Sequence, residues 1–110
     1  MWLQREKFTD LTLTDYTQKL IGYYVDQPVK ISSIGEGGSD HQSWAQEGYK
    51  TVFPHEYIDL NDKTCGNRTI HSAEDTMDKL SLAQMTDYLK LAAAFTVELG
   101  EPVTNLSHRN

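Results

Sequence analysis

The 110-residue chain is long enough for one domain with one modest hydrophobic core, and its 38% hydrophobic and 24% charged residues exclude both a collagenous and a wholly disordered chain. Ten Lys and Arg against sixteen Asp and Glu leave a formal charge of −6, and the basic residues are scattered rather than gathered into the patch a phosphate backbone requires, so no nucleic-acid partner is expected. The apolar stretches around 25–34 and 89–97 fall far short of the ~20 residues that span a bilayer, so no membrane partner is expected either.

Residues 1–7 read as an N-terminal extension, and across residues 1–14 Arg5, Glu6, Lys7 and Asp10 break up the apolar residues so that no continuous apolar run of a secretory signal forms. Thr12 with Asp15 three positions later is a capping-box start, and Leu13, Tyr16, Leu20 and Tyr23 or Tyr24 recur at helical spacing before Pro28. The spacing predicts a helix over 13–25. Val29, Ile31 and Ser33 alternate with Lys30, Ser32 and Ile34, a strand-like pattern that runs into the turn Gly35-Glu36-Gly37-Gly38.

Ser39 with Gln42 predicts a capped short helix that Gly48 closes, with Trp44 and Ala45 facing inward. Thr51-Val52-Phe53 is β-branched and aromatic and is stopped by Pro54, which predicts a short buried strand entering a functional loop. Residues 55–70 read as irregular, and the single Cys65 among them rules out an internal disulfide or a cysteine-rich structural zinc site. Ser81 with Gln84 caps a long helix whose expected apolar face is Met85, Leu89, Ala92, Phe95 and Leu99, ended by Gly100 and Pro102. Residues 101–110 form a tail.

The element order helix, strand, helix, strand, helix predicts an α/β layered protein with a parallel sheet. Two short strands cannot make an independently stable sheet of that kind, so the chain is expected to supply one side of a larger one.

Three polar constellations stand where a strand ends or a helix begins: Ser39-Asp40-His41, Pro54-His55-Glu56, and Ile70-His71-Ser72 followed by Asp75-Thr76. In open α/β sheets the functional crevice lies at the carboxyl ends of the strands. Each constellation also has an ordinary structural explanation. Asp40 and His41 suit the first turn of a capped helix, His55 a plain loop histidine, and Ser72 with Asp75 a capping box. Trp44, Phe53, Tyr57 and Ile70 read as core by default.

Taken together and in order, the stretch from Gly38-Ser39-Asp40-His41 to Gly48-Tyr49, then Phe53-Pro54, then Arg68-Thr69-Ile70-His71-Ser72-Ala73-Glu74-Asp75-Thr76 resembles the C-terminal signature of zinc-dependent aminopeptidases of the bacterial leucyl aminopeptidase type. The likeness covers residues 8–100. It implies the C-terminal portion of a three-layer α/β/α zinc-peptidase domain, with few strands of its own and a long C-terminal helix. The implied activity is removal of N-terminal amino acids from peptides by water activated at a pair of zinc ions.

By the same resemblance His71 matches a terminal zinc ligand, and neutral imidazole is a good one provided an oxygen fixes its other ring nitrogen, a part suited to Asp75 or a nearby carbonyl. Ser39, Asp40 and His41 match a motif that supports the metal centre, and Phe53 and Ile70 match walls of the pocket for the substrate's first side chain. No catalytic residue falls in this chain, because the family's bridging aspartate, remaining ligands and glutamate base come from sequence upstream of this region. Some relatives also carry a disulfide and a tyrosine before Ser-Asp-His, where this chain has Glu36, an acceptor in place of a donor; by the same resemblance the loop 57–68 reads as lengthened.

Three readings compete. In the first, the chain is a segment of a metallo-aminopeptidase, inactive alone and docking to the rest of its domain. In the second, it is an interaction or homo-oligomerising module built on that fold. In the third, His71 and His41 with Asp40, or with His55 and Glu56, form a self-contained single-metal site. Localisation rests only on the resemblance, to a family that is often secreted or periplasmic.

Overall fold

The structure, a computed structural model, describes residues 1–5, 7–33, 39–56, 58–59, 64–65 and 68–100, with the backbone alone at 58–59 and 64–65. The Gly35 to Gly38 turn, the Glu36 departure and the tail 101–110 lie outside the described residues.

The first strand, β1 (Trp2–Gln4), corrects the reading of residues 1–7 as an extension: it is the central strand of a three-stranded sheet, and all three of its residues are buried. Three residues are too few for strand periodicity to show, and the charges of Arg5, Glu6 and Lys7 just after them hide the signal. Strand β2 (Lys30–Ser32) pairs with β1 in parallel, Leu3 opposite Ile31, and β3 (Pro54–His55) pairs with it antiparallel, Leu3 opposite Pro54. The sheet is therefore mixed, in the order β2-β1-β3, where the element order had predicted a parallel one.

Strand β3 begins at Pro54, one residue past the predicted stretch Thr51–Phe53. Gln4 N–H donates to Phe53 C=O at 3.0 Å, so that stretch leads directly into the ladder. Pro54 has no N–H to donate, which is tolerable because β3 lies at the edge of the three strands.

Helix α1 (Leu11–Tyr24) starts two residues earlier than predicted because Asp10, not Thr12, is its cap: the Asp10 carboxylate accepts from Leu13 N–H at 2.8 Å. Thr14 and Thr17 are fully buried on α1, and each hydroxyl donates to the carbonyl four residues back, at 2.7 and 2.8 Å, so neither carries an unsatisfied group into the core. Replacing Asp10 by Ala is expected to cost about 1 kcal/mol, read as a shift of the urea midpoint without a change in slope.

Helix α2 (Asp40–Gln46) is two turns long and ends at Gly48, whose φ of 89° suits glycine. Its inward residue is His41 rather than Trp44, which is 59% exposed and stands edge-on to Tyr49. Ser39 occupies the cap position, but its side chain makes no capping bond. The stretch read as irregular holds a small antiparallel hairpin, β4 (Ile58–Asp59) with β5 (Thr64–Cys65).

A single 3-10 turn (Met77–Lys79) leads into α3 (Leu82–Leu99), capped by Ser81, whose hydroxyl accepts from Gln84 N–H at 3.3 Å. Gly100 closes α3, and a Cβ there would stand 2.6 Å from the Thr96 carbonyl oxygen.

The core joins β1, α1 and α3 through Leu3, Leu20, Ile21, Val25 and Leu91, with Met1, Tyr16, Val29 and Phe95 packed around it. Of the predicted apolar face of α3 only Phe95 packs on this core; Met85, Leu89 and Leu99 are exposed. Helix α3 thus has two apolar sides, and the periodicity picked out mainly the outward one. No described helix is long and apolar enough to cross a membrane.

Candidate functional site

The three constellations lie at the carboxyl side of β2, on β3, and in the turns before α3. Of the first, Ser39 and Asp40 are exposed at the start of α2, while His41 is buried, 8% exposed. Its imidazole stacks on Phe53, with ring centroids 4.0 Å apart and planes 22° apart. Phe53 also meets His55, which is 6% exposed, at 4.2 Å and 38°. A phenylalanine is therefore in contact with two buried imidazoles.

His55 had read as a plain loop histidine. The signal for it was its spacing from Phe53: residues i and i+2 of an extended segment share a face, so whatever packs on one meets the other. Both nitrogens of His41 and Nε2 of His55 find no hydrogen-bond partner among the described residues.

Burial, helped by the neighbouring His41 ring, pushes the His55 pKa down from 6.5 to about 4. Burial also lowers that of His41, against the opposing charge of Asp40. Both rings are therefore held neutral at neutral pH. Because the folded pKa of His55 lies below its unfolded value, the unfolded chain binds more protons between the two. The stabilisation is fully present above about pH 6.5 and is lost as pH falls toward about 4. The expected loss is on the order of 2 kcal/mol, allowing for residual solvent access. His55→Phe, which keeps a ring in the stack, should flatten that slope in urea titrations between pH 4 and 7.

Asp75 is exposed and lines an open groove of about 760 Å³ together with Pro54, His55 and Glu56 of the β3 region and Leu82, Met85, Leu89 and Ala92 of α3. The capping-box explanation of Ser72 and Asp75 does not hold, since no helix starts there. The Ser72 hydroxyl turns back to the Thr69 carbonyl, and the next helical turn begins only at Met77.

Ile70 and His71 are both exposed. His71 adopts φ 61°, a left-handed conformation unusual for a residue with a side chain. Such outliers persist where the surroundings enforce them and concentrate at functional sites.

Among the described residues no three His, Cys, Asp or Glu side chains converge as a metal site would need. The self-contained single-metal reading therefore loses its basis in His41, Asp40, His55, Glu56 and His71. The structure brings together His41, Phe53 and His55, while Asp75 shares with His55 only the lining of the open groove.

The sequence profile of peptidase family M28 matches residues 3–96. A probable leucine aminopeptidase of Arthroderma otae is 35% identical over 91 residues, and a probable aminopeptidase of Saccharomyces cerevisiae is 33% identical over 93; these cover 83% and 84% of this chain but 24% of each relative. Among solved structures, the LapA aminopeptidase of Legionella pneumophila superposes with a TM-score of 0.80 at 40% identity, over 93% of this chain and 26% of LapA. LapB of the same organism gives 0.79 at 39%, over 92% of this chain and 26% of LapB. The chain spans about a quarter of the length of the relatives it matches. Its mixed sheet and long closing helix are thus one portion of the aminopeptidase fold, and the chain belongs to peptidase family M28.

Proposed function

We propose that this chain acts as the C-terminal segment of a zinc aminopeptidase domain, which removes N-terminal residues from peptides once the rest of the domain is present. The observation that carries the reading is the superposition of nearly the whole chain on one quarter of LapA. Family M28 is one of metallopeptidases, generally zinc-dependent.

His71 suits such an ion: its donor is an imidazole, held at an enforced backbone angle on an exposed turn. A catalytic zinc site takes three protein ligands, and among the described residues none completes a set with His71, so the other ligands lie beyond the described residues. Zinc, when bound, supplies Lewis-acid activation of the attacking water. This chain's own part is to hold the His71 imidazole in place, to keep Ser39, Asp40, His41 and Asp75 beside the centre, and to wall the substrate's first side chain with Phe53 and Ile70.

Docking to the remainder of the domain is supported by the surface. The outer side of α3 exposes Leu82, Met85 and Leu89 beside Pro54 and His55 of β3, an apolar groove along what is an edge strand among the described residues. The same surface is what favours the second reading, a homo-oligomerising module. The test is to graft residues 1–100 in place of the matching quarter of LapA and assay leucine release from a dipeptide. Turnover supports the segment reading. A soluble, folded graft without turnover, together with a monodisperse metal-free oligomer of the 110-residue chain, would favour the module.

A further inference from the structure

His71 sits in the left-handed region, which costs a residue with a side chain roughly 1–2 kcal/mol. The turn around it shows how that conformation is held. Ser72 N–H donates to the Thr69 carbonyl at 3.1 Å, closing a four-residue turn in which His71 is third. A positive φ confined to the third position marks a type II turn, and that position normally goes to Gly or Asn. A histidine here is a poor choice for the turn and calls for something to enforce it.

The Ser72 side chain does so. Its hydroxyl donates to the same Thr69 carbonyl at 2.5 Å and accepts from Glu74 N–H at 3.3 Å, while Asp75 N–H donates to the Ser72 carbonyl at 3.2 Å. One side chain thus ties the backbone before His71 to the backbone after it. The amide bond would form in any sequence adopting the turn, whereas the two hydroxyl bonds depend on the identity of residue 72.

We infer that Ser72 is a positioning residue for His71: its hydroxyl clamps the turn from Thr69 to Glu74 and holds His71 left-handed, which fixes the direction in which the imidazole leaves the backbone. The inference rests on the reading of His71 as a zinc ligand. Without the clamp His71 relaxes to an ordinary φ, its Cα–Cβ bond swings with the backbone, and the ligand must be reordered each time zinc binds. The loss therefore falls on zinc affinity, while the metal-free fold, relieved of strain, changes little.

The test uses the isosteric pair Ser72→Thr and Ser72→Val, which differ only in the hydroxyl, with His71→Ala as control, all in the complete zinc-loaded domain that carries this segment. Zinc affinity is measured by chelator competition, metal-free stability by thermal melting, and the His71 φ by backbone scalar couplings in the 110-residue chain. Ser72→Thr should bind zinc as the parent does. Ser72→Val should bind about 10–100-fold more weakly, the range seen when a ligand's orienting partner is removed, with melting unchanged and the His71 φ no longer positive. Equal zinc affinity in the Thr and Val variants, or a weakened Val variant that keeps a positive φ, overturns the inference. Zinc affinity untouched by His71→Ala instead overturns the ligand reading beneath it.

Discussion

Replacing His71 by glycine is expected to make the metal-free chain more stable and the assembled enzyme inactive. Glycine takes φ 61° without the side-chain penalty, so the turn should gain about 1 kcal/mol, seen as a higher urea midpoint. The imidazole is lost in the same step. In the complete domain, zinc affinity should fall by more than about 100-fold, beyond what removal of a ligand's orienting partner costs, and turnover should fall with it. Opposite signs for stability and activity distinguish a functional ligand on a strained turn from a loop histidine. If His71→Gly were stabilising with unchanged zinc affinity, the strain would have no such purpose.

Ile21→Ala is the largest stability effect expected. Ile21 is fully buried among Leu3, Leu20, Val25 and Leu91, where α1 meets β1 and α3, and the tight packing leaves a cavity that can close only in part. The cost should be about 3 kcal/mol. With so few residues in the core, that is a large share of the stability the chain has. Tyr23→Ala, one turn face away and largely exposed, should cost less than about 0.5 kcal/mol. Urea titration of the pair should separate them clearly, and a loss under about 1 kcal/mol for Ile21→Ala would mean that α1 is held by other contacts.

What was legible in the sequence was whatever local chemistry enforces. Ser81 caps α3 through the Gln84 amide, Gly100 closes it where a Cβ would strike Thr96, and Gly48 ends α2 at positive φ, all as the residue types indicated. What escaped was set by tertiary contacts. The strand Trp2–Gln4 is three residues long and is specified by its two partners rather than by its own pattern. Thr12 with Asp15 matched a capping box, yet Asp10 caps α1, because an extended aspartate directly before the first turn reaches the Leu13 amide. Trp44 was assigned inward because indole is large and apolar, but the side of α2 that meets Phe53 carries His41.

The same division runs through the site. The ordered motif singled out His71 as a ligand but could not reveal its left-handed backbone, which depends on a turn closed by Ser72. Spacing could place Phe53 and His55 on one face of an extended segment, whereas their meeting with His41 required β3 and α2 to be packed together. The periodicity of α3 was real but pointed to Met85 and Leu89, which are exposed on this chain. An apolar stripe that misses the core of the chain carrying it is the pattern expected of a segment whose partner surface lies elsewhere in a larger domain.

If this segment holds part of a zinc site that the rest of a larger domain completes, zinc stoichiometry should differ between the segment and the whole. Elemental analysis after dialysis would be run on the 110-residue chain alone and on the complete domain that carries it. Two zinc ions should be retained in the complete domain and no stoichiometric zinc in the chain alone. Two tightly held ions in the chain alone would show that the segment carries a full ligand set of its own.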